Sequence, residues 1–217
     1  MARFHLLKTD DGIALEDRLG SRHPLLIDFR AGKLKHRRLH GGKKELLLKA
    51  VGAKPGLRVS DWTAGLGTDS LLMAAAGCEV TLYERSPVIC MLVSQALQTA
   101  LGDEELAPIA RRMTLIKGSA GKLVHSPTDV IYLDPMFPGR KKTARVNGAM
   151  QYLQQFLGTD YDGDALVAVA KLAGAKRVVV KRPISAAKDD VTFSLEAKAN
   201  RFDVYECSHE LPVTRCS

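Results

Sequence analysis

An acid, a proline and, one residue on, an aromatic close a short apolar run at Asp134-Pro135-Met136-Phe137. The run before them, Val130-Ile131-Tyr132-Leu133, has the length and β-branched content of a strand. An exocyclic amine is a poor nucleophile, because its lone pair is delocalised into the base ring. A carboxylate and a backbone carbonyl that accept its two N–H bonds would aim that lone pair at a methyl donor, and a stacked ring would hold the base flat. Asp134 and the turn carbonyl suit the first task and Phe137 the second, with Pro135 stiffening the turn. Read alone, the four residues also suit an ordinary strand-to-turn boundary, where Asp and Pro are common. The choice rests on what surrounds them.

A second constellation, Asp61-Trp62-Thr63-Ala64-Gly65-Leu66-Gly67, ends another predicted strand and opens a helix at Thr68. Glycines at such a junction let a ligand approach the backbone, and a helix start presents free N–H groups. A dinucleotide fingerprint requires a third glycine three residues after Gly67, but that position is Ser70. The spacing therefore favours a cofactor without a pyrophosphate and disfavours an NAD-dependent oxidoreductase. Glu84 ends the next predicted strand, where a carboxylate can accept both ribose hydroxyls of an adenosine. Ser119 and Ala120, just past a third strand, would border the adenine.

The net charge of +8 is concentrated rather than spread. Residues 30–44 carry seven Lys/Arg and no acid, and residues 139–145 and 176–182 carry four each. Without these 15, the remaining 17 basic residues face 24 acids. Clustering of this kind suits a polyphosphate partner. The expected RNA-facing residues are Arg37, Arg38, Lys43 and Lys44 in the first cluster, Arg140, Lys141 and Lys142 beside the acceptor turn, and Lys181 and Arg182 at the end of a fifth strand. His36 and His40 need no catalytic role, His125 reads as a loop residue, and no metal-binding set is present. Four scattered cysteines without CxxC spacing fit free thiols in the cytoplasm. No 18-residue apolar run or signal-peptide pattern points to a membrane.

These residues must be positioned by an alternation of strands and helices that begins near residue 57. It predicts strands over 57–61, 79–83, 113–117, 130–133 and 177–181, and helices over 68–76, 86–101, 103–111, 147–157 and 162–173. Such alternation argues for a largely parallel sheet. The tail predicts a hairpin, 192–197 with 202–207, turning around Asn200. Before it, short strands are expected at Phe4–Leu7, Ile13–Leu15 and Leu25–Phe29, forming a small β-rich N-terminal subdomain over 1–40. A helix from Lys43 to Val51 follows, so the second domain runs over 41–217.

Taken together the chain resembles the class I S-adenosylmethionine-dependent methyltransferases, and within them the bacterial RsmJ family. The resemblance rests on His36-Arg37-Arg38 with Gly41-Gly42, Asp61-x-Thr63-Ala64-Gly65-Leu66-Gly67-x-Asp69 and Tyr83-Glu84-Arg85. It also rests on Leu133 to Pro138, Arg177 to Pro183 and Arg201-Phe202-Asp203. It implies a Rossmann-like α/β fold with a mostly parallel seven-stranded sheet and a C-terminal antiparallel hairpin. It further implies methyl transfer from S-adenosylmethionine to the N2 amine of a guanosine near the 3′ end of 16S ribosomal RNA, free or in the small subunit. Cofactor contacts carry over to Thr68, Asp69, Glu84, Arg85, Ser119, Ala120 and Asp134, and Asp61, Gly65 and Gly67 of the loop complete the expected cofactor-binding set. Thr68 stands where the family usually has Arg, leaving backbone N–H groups to bind the methionine carboxylate. The alternatives that the residues leave open are another amine acceptor, such as adenine N6 or a protein glutamine amide, and a non-catalytic RNA-binding protein.

Overall fold

The structure, a computed structural model, describes residues 3–20, 23–40, 45–122, 127–135, 156–157, 163–187 and 189–207. The first strands, β1 (Phe4–Thr9) and β2 (Gly12–Asp17), form an antiparallel hairpin of their own. Then come helices α1 (Gly32–His40) and α2 (Leu46–Val51). From β3 (Arg58–Asp61) the chain alternates α3 (Thr68–Ala75), β4 (Glu79–Glu84), α4 (Pro87–Leu101), α5 (Ala107–Ala110), β5 (Met113–Lys117) and β6 (Val130–Leu133). It ends with α6 (Gly163–Leu172), β7 (Arg177–Pro183), β8 (Phe193–Glu196) and β9 (Asn200–Glu206).

Seven strands pair in the order β5-β4-β3-β6-β7-β9-β8. The first five are mutually parallel, and β9 runs antiparallel between β7 and β8. All four residues of β6 are buried, as a parallel strand covered on both faces requires. Its side chains alternate between two cores. Val130 and Tyr132 join the cluster under α2, α3, α4 and α5, whereas Ile131 and Leu133 join Val167 and Ala170 of α6 on the opposite face. The order doubles back at β3, so β4 and β5 lie on one side of it and β6 and β7 on the other. That reversal opens a crevice beyond the carboxyl ends of the strands, the usual ligand position in such sheets.

Local chemistry fixes the element ends. Ser86 caps α4, its hydroxyl accepting from the Ile89 N–H at 3.4 Å, and Pro87 occupies the first helical position. Gly52 ends α2 in the left-handed region at φ 69°.

One expected strand is absent near the N-terminus, and one helix appears there that the sequence did not predict. Leu25–Phe29 is not a strand: it makes one bridge, Leu15 with Leu25, and then sends Ile27 and Phe29 into the main core. The basic segment is helical over Gly32–His40. An Asp28 turn, with the carboxylate accepting from the Arg30 N–H at 2.9 Å, starts it, and Lys and Arg are good helix formers. Leu15, Leu25, Ile27 and Phe29 share one hydrophobic cluster with α3 and α4 residues, so these four side chains pack onto the main core. Of the helix expected over 147–157, only residues 156–157 are described, and they are helical.

The C-terminal hairpin is anchored by Arg201, which is 1% exposed. It donates to Asp203 at 2.8 Å and to the carbonyls of Ala186 and Ala187 at 2.8 and 2.7 Å. Removing one member of a buried ion pair leaves its partner charged and desolvated. Arg201→Met is expected to lower unfolding stability by about 3–5 kcal/mol, measured by urea denaturation. A change below about 1 kcal/mol would contradict the anchoring role.

Candidate active site

The crevice is walled by the ends of β3, β4, β5, β6 and β7. Its lining includes Asp61 to Leu66, Thr68, Asp69, Tyr83, Glu84, Arg85, Gly118, Ser119, Tyr132, Asp134, Pro135 and Lys181. It encloses about 1030 Å³ of empty space, its open mouth included.

Glu84 is 6% exposed and holds the loop after β3 in place. One of its oxygens accepts from the Gly65 N–H at 3.0 Å and the other from the Ser86 N–H at 2.7 Å. Burial pushes its carboxyl up, opposed by those two N–H groups. Gly65 and Gly118 both have positive φ, 51° and 141°, where a side chain would be strained, and both face the crevice. Asp61, 1% exposed, braces the same loop from below. It accepts from the Thr63 N–H at 3.0 Å and the Ser70 hydroxyl at 2.5 Å. Burial raises its carboxyl to about 7 against those hydrogen bonds. Thr63 in turn accepts the Asp134 N–H at 2.6 Å, so one chain of bonds runs from β3 to the acceptor turn.

The side chain of Asp134 is fixed by Lys181. The Lys181 ammonium lies 2.7 Å from an Asp134 oxygen and 2.8 Å from an Asp69 oxygen. Tyr132 donates its hydroxyl to the same Asp69 oxygen at 2.7 Å, and Arg37 lies 3.5 Å from the other. Burial opposes ionisation of Asp69, yet Lys181, Tyr132 and Arg37 together hold its carboxyl below the ordinary value. Burial likewise disfavours the charge on Lys181, but the two carboxylates outweigh it and keep the ammonium above its ordinary value.

Several predicted residues occupy other positions. Lys181 was expected on an RNA-facing surface; its side chain is 17% exposed and lies inside the crevice. Arg182 is buried, 3.1 Å from Asp164 and 3.5 Å from Asp203. The Arg38 side chain is 6% exposed and pairs with Glu105 at 2.8 Å. These two guanidiniums are largely buried and paired within the chain, Arg38 with the exposed Glu105 and Arg182 with the exposed Asp164 and the buried Asp203. Arg37 donates to both oxygens of Glu45, at 3.2 and 2.9 Å, while also facing Asp69. Gly67 does not line the crevice. Its φ of 71° and its packing against Phe29, 3.2 Å from where a Cβ would sit, account for the glycine. Ala120 is buried in the second core beside Val167 and Ala170 rather than lining the crevice. Thr68, Asp69, Arg85 and Ser119 do line it. Lys43, Lys44, Phe137, Arg140, Lys141 and Lys142 lie outside the described residues.

Tyr132, Thr63, Gly118 and the placement of Lys181 were missed from sequence. A signal for Lys181 exists. Leu133 of β6 pairs with Val180 of β7, so the residues that follow, Asp134 and Lys181, leave adjacent strands side by side. Among the described residues no group of His, Cys, Asp and Glu could hold a metal ion, and Cys78, Cys90 and Cys207 are free.

The strand order, the helices on both faces and the crevice at the sheet's reversal define a class I S-adenosylmethionine-dependent methyltransferase. A family model described as "Putative SAM-dependent methyltransferase" matches residues 1–207. A ribosomal RNA small subunit methyltransferase J from Pseudomonas syringae pv. tomato is 43% identical over 216 residues, covering 94% of this chain and 80% of that one. The protein of the same name from Pseudoalteromonas atlantica is 46% identical over 196 residues, covering 83% and 76%. A solved SAM-dependent methyltransferase from Neisseria gonorrhoeae superposes with a TM-score of 0.74 at 32% identity, over 99% of this chain and 87% of that one. The chain belongs to the ribosomal RNA small subunit methyltransferase J family.

Its cofactor is S-adenosylmethionine, and the residues present fit it. Glu84 retains lone pairs toward the crevice after accepting its two backbone bonds. The first N–H groups of α3, at Thr68 and Asp69, have no partner within the helix and suit a carboxylate. Gly118 and Ser119 leave a gap past β5 for a flat ring.

The Asp61 carboxyl gives a test of this bracing. Its folded value of about 7 lies above the ordinary 3.8, so the folded state binds the proton more tightly. Stability from this group is therefore greatest at low pH and declines as pH rises from 3.8 to about 7. The unfolding free energy of wild type minus that of Asp61→Asn is expected to fall across this window, by a few kcal/mol in order of magnitude. Denaturant titrations at about pH 5 and about pH 8 measure it; parallel pH dependences for the two proteins would contradict the assignment.

Proposed function

We propose that this methyltransferase modifies the N2 amine of a guanosine near the 3′ end of 16S ribosomal RNA, in the cytoplasm. The observation that carries the reading is the Asp134 carboxylate. It ends β6, is held from both sides by Thr63 and Lys181, and faces the same crevice as Glu84. The names of the relatives support ribosomal RNA as substrate, and no helix among the described residues is long and apolar enough to cross a membrane.

Bound in the crevice, S-adenosylmethionine supplies an electrophilic methyl on a sulfonium. Glu84 would hold its ribose hydroxyls, and Thr68 and Asp69 N–H groups its carboxylate. Asp134 accepts an N–H of the substrate amine and turns the nitrogen lone pair toward the methyl. On accepting the methyl that the bound cofactor would supply, the amine would gain positive charge and then release a proton to water. Asp134 stabilises that developing charge, so no strong general base is needed. Phe137 stacks on the base, and Arg37, Lys43, Lys44, Arg140, Lys141 and Lys142 contact flanking phosphates.

Asp134→Ala is expected to reduce methyl transfer by ~10³-fold or more, while S-adenosylhomocysteine affinity, read by calorimetry, changes by less than about 5-fold. An unchanged rate would remove Asp134 from the mechanism. Mass spectrometry of ribosomal RNA nucleosides from cells with and without the chain tests the base. Loss of N2-methylguanosine, restored by the wild-type chain, is the expected result. Loss of N6-methyladenosine instead would overturn the guanine assignment.

A further inference from the structure

The crevice contains two carboxylates and one ammonium in direct contact. Lys181 lies 2.7 Å from Asp134 and 2.8 Å from Asp69, and its side chain is only 17% exposed. A lysine kept for RNA phosphate would reach solvent, whereas this one is enclosed by acids. If all three groups are ionised, the trio carries one net negative charge. That is the charge that balances a nitrogen turning cationic during methylation.

The neighbours leave few other ways to hold this balance. Tyr132 of β6 and Arg37 of α1 touch Asp69, and Arg37 is shared with Glu45. Asp61 of β3 adds acidic character beneath, braced by Thr63 and Ser70. Remove Lys181, and two partly buried carboxylates that were close enough to share one ammonium face each other. Like charges so placed favour uptake of a proton by one of them, and Asp134 is the readier acceptor because Asp69 keeps Tyr132 and Arg37. The opposite error follows from removing Asp69, because Lys181 then neutralises Asp134 alone.

We propose that Lys181 is a positioning residue that sets the charge of the crevice: by offsetting Asp69 it leaves Asp134 negatively charged and oriented toward the acceptor amine. The inference rests on the reading of Asp134 as the amine's partner. It predicts a reciprocal rescue that a packing role does not produce. Lys181→Met lowers kcat by ~10²-fold near pH 7 and recovers ~10-fold as pH rises to about 9. Asp69→Asn alone also slows the reaction. The double variant Asp69→Asn/Lys181→Met restores the single negative charge, and its kcat exceeds that of either single variant.

The experiment measures kcat against pH for wild type and the three variants on unmethylated small-subunit RNA, with Lys181→Arg as the conservative control. Aspartate carboxyl ¹³C NMR of the protein without cofactor or RNA is recorded in parallel. In Lys181→Met one extra carboxyl is expected to titrate at about pH 6–8, and that titration disappears in the double variant. An unchanged carboxyl titration in Lys181→Met, or a double variant slower than both single ones, overturns the proposal. Wild type inactive on this RNA would count against the substrate reading instead, while the NMR titration still decides the charge balance.

Discussion

Parallel pairing of β4, β3, β6 and β7 is the constraint on which the site depends. Because these strands run together and in register, their carboxyl ends meet along one edge, and the residues just past them become neighbours. Glu84, Asp61, Asp134 and Lys181 are far apart in the chain yet line one crevice. A register slip of one residue in β6 would turn Ile131 and Leu133 into the wrong core and carry Asp134 out of place. The complete burial of β6 makes such a slip costly, so the hydrophobic pattern that folds the sheet also aims the acceptor turn.

Within that edge the polar groups form a connected frame. Asp61 holds Thr63, Thr63 holds the Asp134 backbone, Lys181 holds the Asp134 side chain, and Asp69, itself held by Tyr132, holds Lys181. A frame of this kind limits reorganisation when charge develops on a bound amine, which is how preorganised sites favour a transition state. Glu84 ties the cofactor half of the crevice to the same loop through the Gly65 N–H.

Much of this was legible in the sequence, where local chemistry decides. The apolar run Val130–Leu133 and the Ser86-Pro87 helix start each carry their own signal, the hairpin was legible although its turn falls at 197–199 and Asn200 begins β9, and the sheet follows from the alternation. Charge partners were not legible. Arg38 is matched by Glu105, 67 residues away, and Arg182 by Asp164 on a helix that packs against β7. Counting basic residues cannot reveal such pairings, so part of the expected RNA-facing charge is already matched by acids of the same chain. The helix over Gly32–His40 escaped notice because its apolar residues, Leu34 and Leu39, are too few to show a period. Gly67 misled in the other direction: its conformation and its packing on Phe29 explain it without a ligand.

The central claim is geometric: Asp134 and the donor methyl share one cavity, with space between them for a purine amino group. A crystal structure with bound sinefungin, whose amine stands in for the sulfonium methyl, measures this directly. The Glu84 carboxylate is expected on the ribose hydroxyls, with the sinefungin amine turned toward Asp134 across an open gap. An amine directed away from Asp134, or a gap closed by protein atoms, would contradict that claim.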